Sequence, residues 1–213
     1  MQIRFDLPME TRRPTGKSQR FDVFGLKIGR PLTLFHRNTV NAWIGLECDP
    51  AVTYYCERPL LINDAPFKRL IDFYAIRNGE EEVLFVLTEA ETQDMPVDDA
   101  FGPGFVNWCR QSEIAIKTVS PQATFGDPWA TENWAQLLRD LAAFGRYVPV
   151  QLVDAIRHEL TVPQTLTQLE LLFPSVDPLL LKVALFSLLH KGVATCPSLA
   201  SQPFSSALPF VVI

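Results

Sequence analysis

Residues 45–52 read Gly45-Leu46-Glu47-Cys48-Asp49-Pro50-Ala51-Val52. Asp49-Pro50 stops whatever helix precedes it, because proline lacks an N–H and pushes the residue before it out of the α region. Beyond it, Val52-Thr53-Tyr54-Tyr55 is β-branched and aromatic, which suits a strand. Before it, Val40, Trp43, Ile44 and Glu47 recur at helical spacing, with Asn38 or Thr39 available as N-cap. The stretch is therefore a joint from a short helix into a strand, and the rest of the chain is read outward from it.

Downstream, Pro59–Ile62 and Leu70–Ile76 read as further strands, and Asn78-Gly79 is a two-residue hairpin turn. Val83–Leu87 is an unbroken apolar run, the pattern of a central strand covered on both faces. Residues 88–104 are acidic and broken by Pro96, Gly102, Pro103 and Gly104, a loop. Phe105–Gln111 reads as a short helix, Glu113–Val119 as a strand, and Pro121–Pro128 as a linker. Composition then changes. Thr131–Phe144, Val150–Leu160 and Thr165–Phe173 have helical spacing, and residues 174–177 make a turn and cap. Pro178 opens a helix to His190, with Gly192 as C-terminal cap. Two short strands are expected in Val193–Ile213. Helix, turn, helix and two-stranded wing outline a winged helix. There is no internal repeat. Upstream, Pro8, Pro14 and Gly16 fall in a stretch without apolar periodicity, read as an extended arm. The expected layout is a basic arm over 1–20, an α/β domain with a mixed central sheet over 21–128, and a small helical, winged-helix-like domain over 129–213.

Composition narrows the classes. The 213 residues are 47% apolar and 20% charged, with a formal net charge of −5, which excludes general disorder. No run of eighteen apolar residues exists, so no membrane span is expected. MQIRFDLPMETRRP has no apolar core before a cleavage site, so no secretory signal is expected. Cys48, Cys56, Cys109 and Cys196 form no metal-ligand spacing with His36, His158 and His190, and read as reduced, mostly buried thiols of a cytoplasmic chain. The charge is uneven. Residues 1–38 carry eight basic and three acidic side chains, whereas residues 80–99 carry eight acidic and no basic ones. A nucleic-acid backbone would be drawn to the first segment and repelled by the second.

Gly29-Arg30, then Leu46-Glu47-Cys48-Asp49-Pro50-Ala51-Val52, then Glu57-Arg58-Pro59, then Leu70-Ile71-Asp72-Phe73 together resemble the TnsA family, the endonuclease subunits of heteromeric bacterial transposases. The most specific piece is the GLECDPAV block; in order and spacing the resemblance covers nearly the whole chain. It implies a PD-(D/E)XK nuclease fold followed by a winged-helix domain. It also implies transposon-end DNA, a transposase and an ATPase regulator as partners, in a cytoplasmic, nucleoid-associated setting. The family pattern runs from a helix glutamate through "LEFDP-x-V", "QP" and "Y-x-P-D-F" to "E-V-K". Aligned without gaps from GLECDP, the helix glutamate falls on Thr39, the aspartate on Asp72, and the last glutamate and lysine on Val86 and Thr88. Nucleases of this kind place carboxylates around a divalent cation, with a lysine aligning the attacking water. One of four such groups remains here, so the expectation is a degenerate pocket with no catalytic residue, no metal and no cofactor.

A migrated site would need an acid and a lysine near Asp72. Among the six lysines, Lys117 shares a strand face with Glu113, a spacing that fits a surface ion pair better than a site. Glu89 and Glu91, just past the Val83–Leu87 strand, could supply a displaced carboxylate. No nucleotide-binding, zinc-protease or serine-hydrolase motif occurs. For DNA, the phosphate contacts expected are Arg12, Arg13, Lys17 and Arg20 on the arm, with Lys27, Arg30 and Arg37 beyond it. Pro178–His190 contains Lys182 as its one formally charged side chain and makes a poor reader of bases. It reads as buried or docked on a partner protein. The leading expectation is a catalytically inactive TnsA-like subunit. The alternatives are an active nuclease that binds Mg at Asp72, and an interaction scaffold that never touches DNA.

Overall fold

Asn78 and Gly79 both take positive φ, 53° and 84°. Two such residues build the tight hairpin turn that matches strand twist, and glycine accepts that conformation without a Cβ penalty. They join β6 (Phe73–Arg77) to β7 (Glu80–Val86), which pair antiparallel from Arg77 opposite Glu80 to Phe73 opposite Leu84. In the computed structural model, which describes residues 3–9, 19–64, 67–88, 91, 101–121 and 128–213, this hairpin is the middle of a four-stranded sheet.

That sheet has the order β3-β6-β7-β8, with β3 at Val52–Glu57 and β8 at Ala115–Val119. β3 is antiparallel to β6 and carries a register shift between Val52 and Tyr54; β8 is parallel to β7. The parallel pairing needs a crossover, and α2 (Pro103–Gln111) lies within it. α1 (Arg37–Cys48) precedes β3. Both sheet faces are covered. On one, Trp43 of α1 donates its indole N–H to the Tyr55 hydroxyl at 2.7 Å, and Tyr55 meets Phe73 edge-on. On the other, Phe105 of α2 meets Phe85 edge-on at 6.0 Å, within a cluster containing Tyr74, Val83 and Phe101. Val83–Val86 is buried throughout, as its unbroken apolar run requires. Two hairpins complete the unit: β1 (Arg20–Gly25) with β2 (Arg30–Phe35), and β4 (Leu61–Asp64) with β5 (Phe67–Leu70).

Five sequence expectations change here. The Leu70–Ile76 run is two strands, because the chain leaves the ladder at Ile71–Asp72 and the Ile71 amide bonds the Leu60 carbonyl. The stretch expected as a strand from Pro59 enters its ladder only at Leu61. α1 starts at Arg37, one residue before the expected cap, and follows His36 at φ 70°. Arg20, read as the end of the arm, opens β1. The arm, read as unpacked, is anchored at two described residues: Phe5 stands edge-on to Tyr74 and its carbonyl accepts from the Tyr54 hydroxyl at 3.1 Å, and Arg4 pairs with Glu81 at 2.8 Å.

The chain divides into two compact units, Met1–Leu46 with Ala51–Thr124, and Glu47–Pro50 with Phe125–Ile213. The second contains α3 (Pro128–Phe144), α4 (Val150–Glu159), α5 (Leu166–Leu172) and α6 (Pro178–His190). α5 begins with a capping box in which Thr165 and Gln168 satisfy each other's backbone N–H. At the start of α6 the Asp177 carboxylate accepts from the Leu179 and Leu180 amides. The strands β9 (Gln164–Thr165), β10 (Ala194–Thr195) and β11 (Pro209–Val212) form a sheet ordered β10-β11-β9, so a third strand joins the two expected. α6 is the buried axis: Leu181, Val183, Ala184, Leu185, Phe186, Leu188 and Leu189 are all inside. Its Lys182 pairs with Asp140 at 3.0 Å. His190, the last residue of α6, stands 2.8 Å from the buried Glu47 carboxylate. Among the described residues, no helix is long and apolar enough to cross a membrane.

Candidate nucleic-acid cleft

The chain leaves β5 at Leu70 and enters β6 at Phe73, which sets Asp72 between the two strands and beside the far end of β7. The backbone there is pinned on both sides. The Asp72 amide donates to the Leu84 carbonyl at 3.2 Å, and the Asp72 carbonyl accepts from the Arg58 amide at 2.9 Å. A cleft of about 740 Å³ opens at this point. Thr39, Asp72, Val86 and Thr88, four positions scattered over fifty residues of sequence, all line it. His36, Asn38, Lys68, Arg69, Leu70, Leu87 and Glu91 complete the wall.

The charged groups are mostly matched. The Asp72 carboxylate accepts the Val86 amide at 2.7 Å. Burial pushes its carboxyl up to about 6, against the pull of that amide and of Arg69 and Arg58. Arg69 is paired with Glu91, donates to the Val86 carbonyl at 3.2 Å and lies over the Phe85 ring at 5.3 Å. Burial alone would raise the Glu91 carboxyl. The Thr88 amide at 2.7 Å, the Thr88 hydroxyl at 2.9 Å and the Arg69 guanidinium outweigh it and hold Glu91 below its ordinary range. Thr88, placed where the family pattern has lysine, thus anchors the carboxylate that follows it.

Glu91 was within reach of the sequence reading; Glu89 lies outside the described residues. Lys68 and Arg69 were missed as site residues, because the β4–β5 hairpin that carries them into the cleft has no motif of its own. The Lys117–Glu113 pair does not form. Glu113 is a turn residue at φ 57°, and Lys117 pairs with the buried Glu82, which also accepts from Arg77 at 3.0 Å. The cleft has two carboxylates, both engaged by amides or a guanidinium, and no group of three or more His, Cys, Asp or Glu side chains is placed to hold a metal among the described residues.

The basic residues expected to meet phosphate fall into different surroundings. Arg12, Arg13 and Lys17 lie outside the described residues. Arg20 is exposed and paired with Asp22 at 2.9 Å. Lys27 donates to the Leu46 carbonyl at 2.8 Å. Arg30 is bidentate on the buried Glu57, at 2.8 and 2.6 Å, so its charge is held by the fold. Arg37 is exposed at the start of α1.

No protein-family model and no curated protein matches the sequence.

Proposed function

We propose that this chain is a TnsA-like subunit of a DNA transposition system, catalytically inactive, which contacts transposon-end DNA and partner transposition proteins. In this reading the first unit is a PD-(D/E)XK nuclease fold and the second a winged helix. The layouts support both: α1, three antiparallel strands, α2 and a parallel strand in one, and α4-β9-α5-α6-β10-β11 in the other. One observation carries the reading. The four positions that a motif resemblance assigns to a nuclease site converge on a single cleft, and the only carboxylate among them sits on a backbone amide. Such a cleft keeps the shape of a strand-binding site without the ligands that activate water. The buried α6, with its lysine already paired, suits a domain that meets proteins rather than base edges. The setting is cytoplasmic and nucleoid-associated.

The test is a gel shift and a plasmid-nicking assay on the purified chain, with transposon-end duplexes and Mg or Mn. Expected are salt-sensitive binding and no nicking. Metal-dependent nicking that Asp72→Ala abolishes would overturn the reading. It would favour a rearranged nuclease instead, for which Glu91 and Lys68 in the same cleft are the available acid and amine. Absence of any DNA shift would leave the scaffold reading.

A further inference from the structure

The cleft's hydrogen-bonding capacity is lopsided. Its carboxylates are engaged: Asp72 by the Val86 amide, and Glu91 by Arg69 and Thr88. Its donors are not. Lys68 is exposed on β5 with no ion pair among the described residues, and the Asn38 and Thr39 side chains beside it have no hydrogen-bond partner there. A wall that offers an ammonium, an amide N–H₂ and a hydroxyl, beside carboxylates already engaged, suits an anionic ligand rich in acceptors. Charge refines the choice. Lys68 and Arg69 against Asp72 and Glu91 leave the wall formally neutral, which admits a monoanion more readily than a dianion.

We propose that the cleft holds an internal phosphodiester of a nucleic-acid strand, bound and left intact, with Lys68 as its cation and Asn38 and Thr39 as hydrogen-bond donors. The identity of the strand rests on the DNA-binding reading above; the phosphodiester site itself does not. Lys68 would act as a positioning contact, insensitive to base sequence.

The experiment is a titration of the full chain, followed by NMR at the Asn38 side-chain amide and the Thr39 backbone amide. The probes are dimethyl phosphate as a monoanionic diester and inorganic phosphate as a mostly dianionic competitor. Both resonances should shift saturably with dimethyl phosphate, and Lys68→Ala should weaken that binding about tenfold. Lys191→Ala, a surface change elsewhere, should leave it unaltered. Asp72→Asn, which removes one negative charge from the wall, should tighten it. Lys68 is exposed, so its loss should not unfold the chain. Absence of saturable shifts, indifference to Lys68→Ala, or tighter binding of inorganic phosphate would overturn the proposal. With duplex DNA, Lys68→Ala should weaken binding several-fold and lower the slope of log affinity against log salt by about one. DNA binding untouched by Lys68→Ala would sink the site and spare the function. Saturable dimethyl phosphate binding without any DNA binding would do the reverse.

Discussion

Asp72 is a half-buried carboxylate at the wall of the cleft, bound to one amide. Its ordinary value near 3.8 is raised to about 6, chiefly by burial. Between those two values the folded chain therefore binds more protons than the unfolded one, so stability falls as pH rises from about 4 to about 6 and is level above that. Asp72→Asn keeps an acceptor for the Val86 amide and removes the slope. Urea titrations across pH should show the variant more stable than the parent by roughly 2 kcal/mol at pH 7.5, with the two converging below pH 4. Parallel profiles would mean that Asp72 is solvated as an ordinary acid. Arg30 illustrates the opposite case, a cation whose task is structural. Glu57 is 2% exposed, and Arg30→Ala leaves it with Arg58 at 4.0 Å as its nearest other cation. The expected loss is about 3 kcal/mol in chemical denaturation, partly restored by adding Glu57→Gln. Loss of DNA binding in Arg30→Ala would then report unfolding, whereas Arg37→Ala tests a phosphate contact directly.

At the scale of elements, α2 depends on a residue forty positions away. Its N-terminus has no side-chain cap of its own, and the Asp64 carboxylate at the end of β4 accepts from the Gly104 amide at 2.6 Å and the Phe105 amide at 3.2 Å. A Cβ at Gly102 would collide with that carboxylate, so glycine is needed there for the approach. Asp64→Ala should cost about 1 kcal/mol, as loss of a helix cap does, and Gly102→Ala should cost more because it displaces the cap as well. Thermal melts of the two variants give the order; equal melting would break the link between β4 and α2. The sequence marks Gly102, Pro103 and Gly104 as a loop ending in a helix, and the helix is there. That its cap is Asp64 could not be read, because capping by a distant side chain has no local signature. The same holds for Lys117, whose local partner Glu113 was the natural guess and whose actual partner, Glu82, lies on the neighbouring strand.

For the whole molecule, the net charge of −5 hides the feature that bears on function, a basic first segment and an acidic segment over 80–99. Part of that basic charge is already paired: Arg30 with the buried Glu57, and the exposed Arg20 and Arg4 with Asp22 and Glu81. Gel shifts of Arg12→Ala/Arg13→Ala/Lys17→Ala and of Arg37→Ala at several salt concentrations should each lower affinity, with the triple change reducing the salt slope by about three. A slope unchanged by the triple substitution would remove the arm from the interface.

Read alone, the amino-acid order determined the elements whose cause is local: the helix stopped by Asp49-Pro50, the Asn78-Gly79 turn, the unbroken apolar strand between two covered faces, and the capped, proline-led α6. Periodicity, turn chemistry and caps act within a few residues, so they are written in the chain. The β1–β2 hairpin, the split at Ile71–Asp72, the pairing of Arg30 with Glu57, and Lys68 and Arg69 in the cleft were decided by tertiary structure. Each depends on which strand lies beside which, and burial, not spacing, determines whether a charge meets solvent, a carboxylate or an open cleft.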